Sequence, residues 1–300
     1  MPKYILVAVD GTGSHEWFNG GNSHTRKFFE QFNTQGGSKI YMHGPDDTVT
    51  GRDAQQRIND AKIFIEDSIR TINFERGNLE YIPAQSHFKN LAGLVPQGIG
   101  RLDVTDIEFV FIGHSRGGAV VMELSKNLPK NAVFMGLFDA VDRSNVMDVT
   151  DFISNHNHPK SVYHALRKGS SRISFGHAVI MDDKDAAKYP WYHQRSFDTS
   201  HGGTNGSYDL NPKEFSQDYS CSTDTLLDPK YTLALNRASV WLMNSVSKDY
   251  RNKRAENCIQ EAIAADSWIR EGAAWAELTF DGTELQSIVY DKNDGHVKKR

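Results

Sequence analysis

Apolar and polar positions divide the chain into short β-branched runs separated by stretches of helical period. Residues 3–10 (KYILVAVD), 38–44 (SKIYMHG), 107–113 (IEFVFIG), 131–139 (NAVFMGLFD) and 171–181 (SRISFGHAVIM) read as strands. The last three are apolar almost throughout, as strands covered on both faces are. From 50 to 72, Ile58, Ala61, Ile65, Ile69 and Ile72 recur at helical spacing, and Thr50 and Asp53 suit the first turn. Helices are expected again over 231–250 and 252–276. A β-hairpin is expected within 276–295, followed by a solvated tail, HVKKR. Residues 201–224 read as a turn-rich loop.

Strands alternating with helices imply an α/β fold of the α/β-hydrolase-like kind, a mostly parallel sheet with helices on both faces. Residues 73–106 fit no clean period and read as an insertion before the strand at 107. Its apolar set (Tyr81, Ile82, Phe88, Leu91, Leu94 and Val95) suits a lid over a pocket or ordinary packing equally well. Internal repeats and low-complexity linkers are absent from the sequence. One catalytic domain over 1–248 is expected, with 249–300 a helix-and-hairpin extension packed on it.

Composition narrows the function classes. Hydrophobic residues make up 38% and charged residues 24% of the 300 positions, the balance of an ordinary globular chain. A net charge of −4 without a basic block argues against a nucleic-acid partner. No run approaches the roughly 18 apolar residues that span a bilayer, and the N-terminus lacks the pattern of a cleavable signal. Mean hydropathy is −0.55 and no amphipathic anchor stands out, so membrane contact has no support in the residues. Cys221 and Cys258 form neither a metal spacing nor a disulfide framework. A cytoplasmic location is the default expectation, with export by a specialised secretion system left open.

The chemistry concentrates in GHSRGG, residues 113–118, which fits G-x-S-x-G at Gly113, Ser115 and Gly117. It follows an apolar strand and precedes a helical stretch, the context of a nucleophile elbow. The bland reading is a glycine-rich turn needed only for packing. A phosphate-binding loop is disfavoured because no Lys-Ser/Thr follows at the required spacing. A serine nucleophile needs a base and a group that orients the base. His201, opening the glycine loop SHGGTNG, is the leading base, and His193 is its competitor. His114 lies in the elbow and is expected to point elsewhere. His156 and His158 read as solvated, and His177 as a core group. Asp139, ending an apolar strand run, is the leading acid, since an unpartnered carboxylate there would be costly. Asp182, beside Asp183 at the end of AVIMDD, is the alternative acid. The oxyanion hole would take backbone N–H groups from Arg116 and from Gly11 or Thr12 in the first strand's VDGTGS. This chemistry requires neither metal nor organic cofactor.

Taken in order, VDGTGS, GHSRGG, LFDAVD, HAVIMDD, SHGGTNG and ASVWLM resemble the DUF2235 family of α/β-hydrolases, which includes the Tle1-like phospholipase effectors of type VI secretion. The resemblance runs over about residues 4 to 245. It implies Ser115 as nucleophile, Asp139 as acid, His201 as base and Asp182 in a supporting role. It also implies a lipid or phospholipid acyl ester as substrate. Two positions depart from the family pattern: His114 replaces an aromatic residue, and HGGTNG lacks the aspartate two places after the histidine. The expected activity is therefore that of a serine esterase or lipase acting on a small-molecule or lipid ester. The alternatives are a thioesterase or acyltransferase with the same triad, or a non-catalytic binding protein on a hydrolase fold. Oligomeric state is not encoded in any feature of the sequence.

Overall fold

The computed structural model describes residues 1–12, 23–45, 52–76, 103–142, 147–155, 157–167, 178–179, 185, 188–199, 201–206, 248–281, 288–291 and 296–299. Within them the chain runs β1 (Lys3–Val9), α1 (His24–Gln31), β2 (Ser38–Met42), α2 (Arg52–Glu75), β3 (Ile107–His114) and α3 (Ser115–Ser125). It continues through β4 (Phe134–Phe138), β5 (Val162–Arg167), β6 (Tyr192–Phe197), a short helical turn α4 (His201–Thr204) and α5 (Lys248–Trp275). It closes with β7 (Ile288–Asp291) and β8 (His296–Lys299). Six of these strands pair in the order β2-β1-β3-β4-β5-β6, every pair parallel. The fold is α/β and α/β-hydrolase-like.

The central strands are apolar at nearly every position because both faces of the sheet are covered. Along β1, Ile5, Val7 and Val9 join one core and Tyr4, Leu6 and Ala8 the other, the period-2 split of a pleated strand. The first core receives Ala54, Ile58, Ala61, Ile65, Ile69 and Ile72 of α2, together with Ala119, Val120 and Val121 of α3. Phe28 of α1 and Ala265, Ile269 and Ala273 of α5 fill the second. With α1 and α2 on opposite faces, the sheet order reverses between β1 and β3. The carboxyl ends of those strands flank a topological switch point, where open parallel sheets form their crevices.

Several sequence expectations change. The run at 171–181 lies outside the described residues except for Ala178 and Val179, which belong to no strand. The last two strands of the sheet are instead VYHALR and YHQRSF, whose interspersed polar residues hide the apolar pattern. The hairpin lies further along the chain than expected. Its second strand is HVKK, the stretch read as a solvated tail, pairing antiparallel with Ile288–Asp291. The expected loop at 201–224 opens with a turn of helix, and its residues beyond 206 lie outside the described set. The helix expected over 231–250 also lies outside, except for 248–250, which begin α5.

In the proposed insertion, residues 73–75 complete α2, and residues 77–102, the candidate lid, lie outside the described residues. The two ends meet: the Asn73 side chain donates to the Asp103 carbonyl oxygen (2.9 Å) and accepts from the Asp103 N–H (3.1 Å). Residues 73 and 103 are therefore neighbours in space. Among the described residues no helix is long and apolar enough to cross a membrane.

Candidate active site

The ends of β1, β3, β4, β5 and β6 deliver the site. Ser115 follows β3 directly and carries φ 53°, a left-handed conformation that a serine adopts only under constraint. The constraint is packing at the elbow. A Cβ on Gly117 would lie 2.3 Å from the Asp10 carbonyl oxygen and 2.4 Å from that of Val9, so α3 can start against β1 only if position 117 has no side chain. On the other side, a Cβ on Gly118 would fall 2.6 Å from the Ala140 Cβ. The glycines therefore answer to close backbone approach, and the strained serine is the product of that approach.

Asp139 follows β4 and is fully buried, also with positive φ (46°), which aspartate tolerates better than most residues. Its N–H donates to the Ala165 carbonyl oxygen (2.7 Å). The next N–H, of Ala140, donates to His164 Nε2 (3.0 Å), whose Nδ1 meets the Tyr192 hydroxyl at 2.7 Å. The turn at Asp139 and Ala140 is thus held in place by β5 and β6.

His201 opens α4, and its ring spans the gap between the other two groups. Nδ1 lies 2.6 Å from Asp139 Oδ2, and Nε2 lies 2.8 Å from Ser115 Oγ. A carboxylate only accepts, so Nδ1 carries the proton and Nε2 presents its lone pair to the serine hydroxyl. All three side chains are nearly inaccessible to solvent. The structure brings together Ser115, Asp139 and His201; the alternative acid, Asp182, lies outside the described residues, as do His156 and His177. His193 stands on β6 against Tyr163, and His158 stacks on Trp191 at 4.0 Å.

The loop after β1 closes the other side. A Cβ on Gly11 would come within 3.0 Å of the Ser115 Cβ, so the Gly11 backbone lies against the serine. Thr12 Oγ1 accepts from Arg116 Nη1 at 3.2 Å. Gly11, Thr12 and Arg116 therefore meet beside Ser115, at the N-terminal end of α3, where the helix dipole favours negative charge.

Other residues at the site were not legible in advance. Asp10 is buried and accepts from Ser23 Oγ (2.6 Å), Tyr41 Oη (2.5 Å) and Asn205 Nδ2 (2.6 Å). Burial first, and the Asp10 carboxylate second, push the Tyr41 phenol far up, so it remains a donor. Asn205 also accepts from the Thr25 N–H (3.0 Å) and hydroxyl (2.8 Å). Asp10 thus joins the β1 loop, the start of α1 and the turn bearing His201. Ser23 takes part twice, since it also caps α1 by accepting from the Arg26 N–H.

His114 does not point away. Its Nε2 donates to the His201 carbonyl oxygen (3.1 Å), and its buried Nδ1 has no hydrogen-bond partner among the described residues. Burial, with the neighbouring His201 second, lowers its pKa to about 3. Arg167, ending β5, donates from Nη1 to Asp139 Oδ2 and from its backbone N–H to Oδ1 (3.2 Å). A polar residue closing an apolar strand run singled out Asp139, and the same signal marks Arg167 once VYHALR is recognised as a strand.

No family model and no curated protein matches the chain. Among solved structures it is similar to an uncharacterized protein from Pseudomonas aeruginosa, with 13% identity over 90% of this chain and a TM-score of 0.39. It spans 50% of that protein's length. It is also similar to the "putative cell surface hydrolase" from Lactobacillus plantarum WCFS1, with 11% identity, 86% of this chain and 98% of that one covered, and a TM-score of 0.32. At those scores neither likeness bears on the chemistry.

Proposed function

We propose that the protein is a serine hydrolase that cleaves carboxylic esters through a covalent acyl-enzyme. The observation that carries this reading is the hydrogen-bonded series from Ser115 Oγ through His201 to Asp139, at 2.8 and 2.6 Å, with the serine held in left-handed backbone geometry at a strand-to-helix turn.

As Ser115 Oγ bonds to the ester carbonyl carbon, its proton passes to His201 Nε2. Asp139 holds the resulting imidazolium by the Nδ1–H it already accepts. The same proton then leaves with the alcohol, and water repeats the sequence to release the acid. Negative charge on the carbonyl oxygen would be met by the backbone N–H of Arg116 and that of Gly11 or Thr12. The resemblance of the motif series to the DUF2235 family supports a lipid or phospholipid acyl ester as the substrate class.

The test is hydrolysis of nitrophenyl esters from acetyl to long-chain acyl, and of phosphatidyl lipids, by the wild type and Ser115→Ala. Removing a triad serine should lower kcat by about a million-fold. A fluorophosphonate should add one covalent mass to the wild type only, at Ser115. Hydrolysis unaffected by the substitution would refute the reading.

A further inference from the structure

Arg167 shares the oxygen on which the base depends. Its side chain is buried (2% exposed), and its Nη1 donates to Asp139 Oδ2, the atom that also accepts from His201 Nδ1. Nη1 and Nδ1 lie 3.4 Å apart, two N–H groups converging on one acceptor. While His201 is neutral the arrangement is balanced, with one carboxylate facing one guanidinium. When Nε2 takes a proton, a second positive charge appears beside the first, and the carboxylate already serves both.

We propose that Arg167 is a positioning residue that sets the working pH of the site: it holds the Asp139 carboxylate and, by its fixed charge, keeps His201 unprotonated and able to act as base further into mild acid than an Asp–His pair alone would allow. The inference rests on the serine-hydrolase reading above. No proton or bond changes at Arg167 itself. The influence of the guanidinium on the imidazole is electrostatic.

The neighbouring groups leave this influence legible. Among the described residues, the turn bearing His201 is faced by His114 of β3, by Asp10 through Asn205, and by His24 of α1, which donates to the Thr204 carbonyl oxygen. From α5, Asp266 and Arg270 act on His24, while Glu261 accepts from the Asp198 N–H just before the turn. His114 and His24 have pKa values lowered by burial to about 3 and about 4, so both remain neutral wherever an imidazole of ordinary pKa titrates. Neither therefore contributes an acid limb in that range, and the NMR titration of the His201 ring identifies its own.

The experiment compares Arg167→Gln, which keeps a donor but no charge, with Arg167→Lys, which keeps the charge on a different frame. The midpoint of the acid limb of kcat/KM is measured on a soluble ester. The His201 ring is titrated by NMR in the substrate-free protein and assigned by its loss in His201→Gln. Expected is an upward displacement of both midpoints by about one to two pH units in Arg167→Gln and little in Arg167→Lys, as one unit charge at this separation dictates. Unchanged midpoints in Arg167→Gln, or equal displacement in both variants, would overturn the proposal. The NMR titration needs no turnover. Failure of the hydrolase reading, seen as hydrolysis that survives Ser115→Ala, is therefore distinguishable from failure of the role given to Arg167.

Discussion

Two buried histidines should make this fold lose stability in mild acid, by an amount that can be worked out. His114 and His24 are 5% and 2% exposed, and each spends a ring N–H on a backbone carbonyl, of His201 and Thr204 respectively. Burial lowers their pKa values from 6.5 to about 3 and about 4. The folded value lies below the unfolded one in both cases, so between the two the unfolded chain binds protons that the folded chain does not. Stability is complete above the unfolded pKa and is lost as the pH falls through 6.5 toward 4 and 3. At about pH 5 both folded imidazoles are still neutral while the unfolded ones are charged. Each therefore costs about 2 kcal/mol relative to about pH 7.5, or roughly 4 kcal/mol together. That is a large share of the 5–15 kcal/mol, roughly, that stabilises a typical domain.

The assay is urea unfolding at those two pH values for the wild type, His114→Phe and His24→Phe. Phenylalanine keeps an apolar ring in each site and removes the titration. It also removes the hydrogen bond, so each variant should start about 1 kcal/mol less stable at neutral pH. The decisive quantity is the loss between the two pH values. It should be about 2 kcal/mol smaller in each variant than in the wild type, because every other titrating group is common to both proteins. A variant that loses as much as the wild type would refute the assignment of a buried neutral imidazole to that position.

Two further outcomes follow from the elbow and its support. Gly117→Ala should lower stability by several kcal/mol, on the order of the largest single-site effects, because its Cβ would meet two backbone oxygens that cannot swing aside; the urea midpoint reads this directly. Asp10→Ala strands the donors of Ser23, Tyr41 and Asn205, at about 1–3 kcal/mol for each that stays unsatisfied. It should also lower kcat on soluble esters, since Asn205 ties the His201 turn to Asp10; undiminished kcat in a folded variant would contradict that coupling.

What the sequence discloses about this site is set by how local each signal is. The elbow is local: strand, Gly113, Ser115, Gly117 and helix are contiguous, although the close contacts that exclude side chains at Gly117 and Gly118 come from Val9, Asp10 and Ala140. Asp139 is nearly local, a carboxylate closing an apolar run that must find a partner. His201 could be singled out among twelve histidines only by its place after the last sheet-like stretch, and its ring contacts depend on β6 ending beside β5. Arg167 and the Asp10 cluster lie beyond that reach. Asp10 and Asn205 are separated by 195 positions and Arg167 and Asp139 by 28. Nothing in either member of a pair specifies the other until the strand order is known.

The two strands that the hydrophobic pattern does not reveal are also those that carry the hidden partners. VYHALR and YHQRSF contain His164, Arg167 and Tyr192, polar groups that mask the apolar pattern because the site uses them. His164 and Tyr192 hold the turn after Asp139, and Arg167 holds its carboxylate. In a parallel sheet the functional residues cluster at the carboxyl ends of strands, so the strands least recognisable from hydrophobicity are those whose side chains are committed to the site. The irregularity of these runs is thus a positive signal: a short run of strand-forming residues interrupted by His, Arg and Tyr, placed after a buried strand that ends in a carboxylate, marks the support of that carboxylate.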